Sequence, residues 1–406
     1  MQWLTRDISI YRWKVPVPVL LWFGLAALAA IAEISRGPSA INNYSIFTGV
    51  FRHTVAQQPL YIPYPAEYID TNHYGPLFSL IIAPFALLPN TIGCFLWCLL
   101  NAWVLIYAIR RLPFSKHQQL VILLIALIEM MTAIHNVQFN PILTGWILLS
   151  YLLVQKEKDL WACLFIAAGF LVKLYGIVGI AFFCFSHQKP KFILSFVGWM
   201  IVLCCLPMLI SSPEYIIRSY QDWFHSLVEK NMQNTNAQAE NLMQDISVMG
   251  MIRRIGGLHH LSNMLVLVPA AICYALPLLR LRQYQYPAFR MHYLCFLLVG
   301  VVIFSSSAES STFVIALTGI AIWYVMQDVQ HRKINQLLLA FVLLLTSLSA
   351  TDLFPAYVRE YVIRPYSLKA LPCLLVWCVM AWQLLVKKFT GQATVGQDRE
   401  RIKVNS

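Results

Sequence analysis

Hydrophobic residues in this chain come in blocks, not in the one-sided stripe of a surface helix. Apolar runs, many of 15 to 20 residues, recur from Val17 to Leu385 with short polar stretches between them. A block that is apolar all round offers no face to water, and about 20 such residues span a bilayer as a helix. The pattern predicts twelve crossings, near 17–34, 92–110, 118–134, 139–155, 160–172, 174–186, 191–210, 264–281, 291–305, 312–327, 334–350 and 369–387. The segment 77–89 stands apart, with 13 residues bracketed by Pro76 and Pro89 and Pro84 inside. That is short for a span and suits a re-entrant or interfacial helix. The expected class is therefore all-α: a polytopic integral membrane protein with about 12 transmembrane helices, one re-entrant or interfacial helix and helical external loops.

Composition agrees with the pattern. The chain is 59% hydrophobic and 12% charged, against roughly 25% charged for a soluble protein. The net charge of +12 sits in short clusters between apolar runs and forms no aromatic-interleaved stripe, so nucleic acid is excluded as a partner. With the N-terminus in the cytoplasm, 20 of the 30 Lys and Arg residues fall on the cytoplasmic side, and the reverse orientation breaks the positive-inside rule at nearly every loop. Three hydrophilic loops are then external, 35–76, 211–263 and 351–368. They belong to a single transmembrane domain, 1–390, followed by a cytoplasmic tail, 391–406. Arg6, Arg12 and Lys14 before the run ending "ALAAIAE" imitate a signal peptide, but further spans follow and an uncleaved anchor is expected. All ten cysteines lie in or beside apolar runs without a CxxC, so neither a disulfide nor a zinc site is expected.

An ionisable group at mid-membrane costs about 2.5–3.5 kcal/mol, so polar residues at the ends of spans ask for a reason. The stretch Tyr64–Tyr74 carries Glu67, Asp70, Asn72 and His73 directly before the apolar run that starts at Leu77. "HNVQFNP" sets Gln138 and Asn140 at one external turn, "FLVKLYG" sets Lys173 at another, and "FSSSAESSTF" sets Glu309 at a third. "DISVMGMIRRIGG" closes the second large loop with Asp245, Arg253 and Arg254. Each has a plain structural reading: Lys173 snorkelling, Glu309 as a turn residue, the amides as interhelical links, the arginines as surface anchors. Glu129, inside the third span, reads as a protonated or paired structural residue. Together, acids, amides and bases converge on one face. That arrangement suits a substrate with a lipid tail and a polar head, with Lys and Arg for a phosphate and a carboxylate as general base on an acceptor hydroxyl.

The order "NNYSIFTGVFRHTVAQQPLY", "HYGPLFSLIIAPFALLP", "FLWCLLNAWVLIYAIRRL", "NVQFNPILTGWILLSYLL", "AAGFLVKLYGIVGI" and "DISVMGMIRRIGG", from Asn42 to Tyr324, resembles glycosyltransferase family 87. The family is a polyprenyl-phosphate-sugar-dependent, mannosyltransferase-like group with the C-type glycosyltransferase fold, and the wording here resembles a Bacteroidetes-type branch. The resemblance implies that the 1–390 domain is catalytic. It implies inverting transfer of a mannose-like hexose or a pentose from a polyprenyl-phosphate-linked sugar donor to a glycan or glycolipid acceptor. The setting it implies is the periplasmic face of a bacterial inner membrane, with the bilayer holding the lipid tail. No cofactor is expected, although a divalent metal is not excluded. The family's base is an acid in a pattern like D-x-x-x-[YF], and Asn43 occupies that position in "NYSIF". An amide takes no proton at neutral pH, so the role passes to Asp70 or Glu309, with His73 orienting or sharing the proton. Lys173 matches the family's hairpin lysine and falls to the donor phosphate with Arg253 or Arg254. Gln138 and Asn140 match its amide motif, and Asn43, Glu67 and Tyr74 complete the expected substrate contacts.

Two other functions compete. A transporter or flippase of a lipid-linked sugar requires polar groups near mid-membrane and related halves, and no internal repeat is present. A catalytically inactive family member fits the amide at Asn43.

Overall fold

The computed structural model describes residues 7–10, 13–236, 243–258 and 260–390, and the expected tail 391–406 lies outside them. The chain opens on a hairpin absent from the expectation, β1 (Asp7–Ile10) paired antiparallel with β2 (Trp13–Pro16). Ile8, Ile10, Trp13 and Val15 alternate there with other residues, the period-2 pattern of a strand, in a stretch too short to register against the apolar blocks. Among the described residues, every regular element after it is a helix.

Each of the twelve expected crossings coincides with an apolar helix. Five are long and apolar enough to cross a membrane, over 17–35, 90–111, 116–135, 189–209 and 332–350, and seven are shorter. The structure falls into two compact units. One comprises Val19–Ala108 and Met130–Asn234; the other comprises Met1–Pro18, Ile109–Glu129 and Thr235–Ser406.

The first unit is built on most of α1 (Val17–Ser35), followed by α2 (Asn42–Ala56), α3 (Phe78–Ala86) and α4 (Asn90–Arg111). It also includes the last turns of α5 (Lys116–His135), then α6 (Asn140–Gln155) and α7 (Asp159–Val172). A 3₁₀ helix (Leu174–Phe185), α8 (Lys189–Cys205) and α9 (Pro213–Asn236) complete it. α3 is the expected short helix, nine residues with Pro84 inside. The Phe85 carbonyl near its C-terminal end accepts a 2.9 Å hydrogen bond from the buried Tyr44 hydroxyl as well as the Leu88 amide at 3.1 Å. α2 and α9 are the expected helices within the two large loops.

An aromatic cluster from α2, α3, α4 and the α5–α6 turn forms the core beneath the first large loop. Tyr74 stacks on Phe78 at 4.6 Å and meets the edge of Phe47 at 4.9 Å. Trp97 and Phe139 stack at 6.2 Å beside them. Such pairs contribute about 0.5–1.5 kcal/mol each beyond burial, enough to hold Tyr74 in one place.

The second unit contains α10 (Val248–Gly256), α11 (Met264–Leu278), α12 (Pro287–Ile303) and α13 (Phe313–Val325). After them come α14 (Arg332–Val342), the single-turn α15 (Ala356–Val358) and α16 (Ala370–Val386). α13 is buried along nearly its whole length, the expected fate of a helix with no polar face. Trp377 of α16 stacks on Phe296 of α12 at 4.6 Å. Glu129 proves to be paired: Lys369 Nζ donates to both of its carboxylate oxygens, at 2.9 and 3.1 Å, and to Ser310 Oγ at 2.7 Å.

Candidate active site

The segment Asn72–Pro76 leads into α3 and is pinned from several directions. Asn72 folds it locally, its Oδ1 accepting from the Tyr74 amide at 2.9 Å and its Nδ2 donating to the Tyr74 carbonyl at 3.1 Å. The same carbonyl accepts from the Tyr61 hydroxyl at 3.0 Å, and the His73 carbonyl accepts from Trp223 Nε1 of α9 at 3.0 Å. The Gly75 amide donates to the Val172 carbonyl at 3.1 Å. A Cβ at Gly75 would lie 2.0 Å from the Leu171 carbonyl oxygen, so only glycine lets the segment approach the end of α7.

Tyr74 is thereby aimed at the α5–α6 turn, where its hydroxyl donates to Gln138 Oε1 at 2.9 Å. Val137 supplies the turn's left-handed backbone, φ 50°, and the Gln138 amide closes back on the Ala133 carbonyl at 2.9 Å. Asn140 follows at the start of α6, fully buried. Lys173 ends α7 in an extended conformation before the 3₁₀ helix begins. Gly176 packs so tightly on Gly169 that a Cβ would meet its carbonyl carbon at 2.3 Å, which closes the hairpin around that lysine. Lys173 Nζ donates to Asn140 Oδ1 at 2.8 Å and lies 5.5 and 5.4 Å from the ring centroids of Tyr74 and Tyr175. Four residues singled out in the sequence, Tyr74, Gln138, Asn140 and Lys173, therefore form one connected group.

The acids of the first loop lie around it. Asp70 is exposed, and its Oδ1 accepts from the Thr71 amide at 2.8 Å. His73 faces Thr71 Oγ1 and Ser226 Oγ, each at 3.4 Å. Burial pushes the His73 imidazole down to about 4, Lys230 and Lys173 add to the effect, and Asp70 opposes it. It is neutral at physiological pH. Glu67 binds His53 Nε2 at 3.2 Å and lies 3.7 Å from Arg52. Asn43 donates from Nδ2 to the Asn136 carbonyl at 2.8 Å, fastening α2 to the α5–α6 turn.

The second unit holds the other three residues. Arg253 is buried, paired to Asp245 at 2.5 Å and donating to Asn263 Oδ1 at 2.7 Å and to the Leu261 carbonyl at 3.3 Å. Ser247 caps α10 and donates to Asp245 Oδ1 at 2.6 Å. Burial still pushes the Asp245 carboxyl above its ordinary value, against Ser247 and Arg253. Arg254 donates to Ser367 Oγ and, at 2.9 Å, to the Gln244 carbonyl. Gln244 in turn donates from Nε2 to Glu309 Oε1 at 3.4 Å, so Gln244 links Arg254 with Glu309. Glu309 also opens a capping box with Thr312.

Residues 72–306 match the model of glycosyltransferase family 87, more than half of the chain. The chain belongs to glycosyltransferase family 87. The matched stretch contains His73, Tyr74, Gln138, Asn140, Lys173, Arg253 and Arg254; Asn43, Glu67 and Asp70 precede it and Glu309 follows it. No curated protein matches the chain. Among solved structures it is similar to the crystal structure of ArnT from Cupriavidus metallidurans bound to undecaprenyl phosphate. That similarity is at 14% identity and a TM-score of 0.36, covering 91% of this chain and 77% of that one. Family and apolar helices together make this a membrane glycosyltransferase.

Sequence reasoning passed over Trp223, Ser226 and Lys230 of α9, all three of which act on His73. A signal was present: Tyr215, Ser219, Asp222, Ser226 and Glu229 recur at spacings of four and three, one polar face of a helix. Among the described residues no group of three or more His, Cys, Asp or Glu is placed to hold a metal ion.

Proposed function

We propose that this protein moves a sugar, a mannose-like hexose or a pentose, from a polyprenyl-phosphate donor to a glycan or glycolipid acceptor, with inversion. The reading places the reaction on the periplasmic face of the inner membrane. The observation that carries it is Lys173 at the tip of an apolar hairpin, held by Asn140 beside Tyr74 and Gln138. A cation at that position balances a phosphate diester whose tail lies along hydrocarbon, and the amides and phenol hold sugar or phosphate oxygens.

In the reaction, an acceptor hydroxyl attacks the anomeric carbon as its proton passes to a carboxylate. The new carbon–oxygen bond forms as the bond from the anomeric carbon to phosphate oxygen breaks, and polyprenyl phosphate leaves with the electron pair. Lys173 offsets the charge that develops on that leaving group. The base is assigned to Asp70, with Glu309 as the alternative, because Asn43 carries no proton-accepting carboxylate. Neutral His73 orients the first-loop end of the site through Thr71 and Ser226. Arg253 or Arg254 is assigned to the donor phosphate; Arg253 is bonded to Asp245, Asn263 and Leu261, and Arg254 to Ser367 and Gln244.

The test feeds purified protein a panel of polyprenyl-phosphate sugars with candidate acceptors, comparing wild type with Asp70→Asn and Glu309→Gln. Transfer is expected in wild type and loss of about 100-fold or more in one variant. Undiminished turnover in both variants sinks the base assignment. Lipid translocation without turnover sinks the transferase reading.

A further inference from the structure

A cleft of about 400 Å³ opens between the segment after α2 and the polar face of α9. We propose that it is the acceptor subsite and that it binds the hydroxyl-rich end of a saccharide; the word acceptor rests on the transferase reading above, and the saccharide site does not.

Three observations carry it. The volume lies within the ~300–1,000 Å³ usual for small-molecule clefts. The lining pairs aromatic rings with hydroxyl-binding groups: Tyr61 comes from the segment after α2, and Tyr215, Arg218, Asp222, Ser226 and Glu229 come from α9. Sugars present C–H faces to aromatic rings and paired hydroxyls to carboxylates, and charged partners make the stronger hydrogen bonds. One arginine against two carboxylates also makes the cleft unsuited to a phosphate, and that separates it from the group around Lys173.

The cleft is also fastened to the candidate active site. Tyr61 donates to the carbonyl of Tyr74, the residue that holds Gln138. Ser226 lines the cleft and contacts His73 Nδ1 at 3.4 Å. Trp223, on the same helix, donates to the His73 carbonyl at 3.0 Å. The Tyr215 hydroxyl of α9 donates to the Gln58 carbonyl at 2.6 Å, tying the two walls together. A saccharide seated here ends one residue contact from His73, where an acceptor hydroxyl is needed.

α9 bears the binding carboxylates on an exposed face, so Asp222→Asn and Glu229→Gln change charge with little change of shape. Purified full-length protein is applied to an array of neutral oligosaccharides, and binding of a polyprenyl-phosphate sugar is measured separately. The wild type retains a subset of the oligosaccharides, and either variant weakens that retention about tenfold or more while leaving lipid-phosphate binding unchanged. A wild type that retains no oligosaccharide overturns the proposal, as does equal retention by both variants or retention of peptides in place of saccharides. Parallel loss of lipid-phosphate binding overturns it too, because the cleft would then serve the donor. Saccharide retention lost in the variants, with no turnover of any donor by wild type, upholds the cleft and sinks the transferase reading alone.

Discussion

Lys173 donates from Nζ to Asn140 Oδ1 across 2.8 Å, joining the end of α7 to the start of α6. A buried amide thereby fixes where a cation sits at the tip of an apolar hairpin. Lys173→Met is expected to lower sugar transfer by about 100-fold, the order of loss when a preorganised charge is removed from a site of developing negative charge. Lys173→Arg is expected to restore little, since a planar fork cannot reproduce a point charge held by one amide oxygen. Initial rates with a polyprenyl-phosphate sugar check both.

His73 introduces a pH dependence of stability. Its pKa is held near 4 in the fold against 6.5 for an ordinary histidine, mainly by burial and then by Lys230 and Lys173, with Asp70 opposing. Between those values the unfolded chain takes up a proton that the folded chain refuses. Stability is therefore complete above about 6.5 and falls as pH drops toward about 4. His73→Gln should flatten the melting temperature over that interval, and thermal unfolding in detergent across the range measures it. An unchanged slope would count against the assignment.

Glu129 and Lys369 are both almost wholly buried and bonded twice to each other. Removing one partner strands the other charge, so Glu129→Leu or Lys369→Met alone is expected to cost about 3–5 kcal/mol. The double variant should recover most of that loss, since an apolar pair leaves no charge behind. A double-mutant cycle by chemical or thermal unfolding separates this from simple loss of packing.

Two glycines should respond in opposite ways to the same change. Gly75→Ala drives a methyl group against the Leu171 carbonyl oxygen at 2.0 Å, backbone that cannot yield, and is expected to abolish folded protein. Gly198→Ala meets nothing within 4 Å on helix α8 and is expected to stabilise by up to about 1 kcal/mol. Yield and monodispersity after membrane extraction distinguish the two.

Much of the architecture was legible before any contact was known. Each apolar block became a helix, and the 13-residue stretch with its inner proline became the short α3. The polar residues at Gln138, Asn140 and Lys173 also announced themselves, because each interrupts hydrocarbon at a turn. Less legible were Ser226, Lys230 and Trp223, which sit in an ordinary amphipathic helix, and the commitment of Arg253 to Asp245. Nothing local distinguishes an arginine that faces a substrate from one that closes on an aspartate eight residues away.

The sequence by itself determined which segments leave water, where the chain turns back and which family it joins. Those properties are local sums: each residue adds its own transfer free energy to its block, whatever lies elsewhere. Only the tertiary structure decided partners. Tyr74 meets Gln138 across 64 positions, His73 meets Ser226 across 153, and Glu129 meets Lys369 across 240. These pairings depend on how helices close against one another and on whether a glycine such as Gly75 leaves room for them, and no window of sequence carries that information.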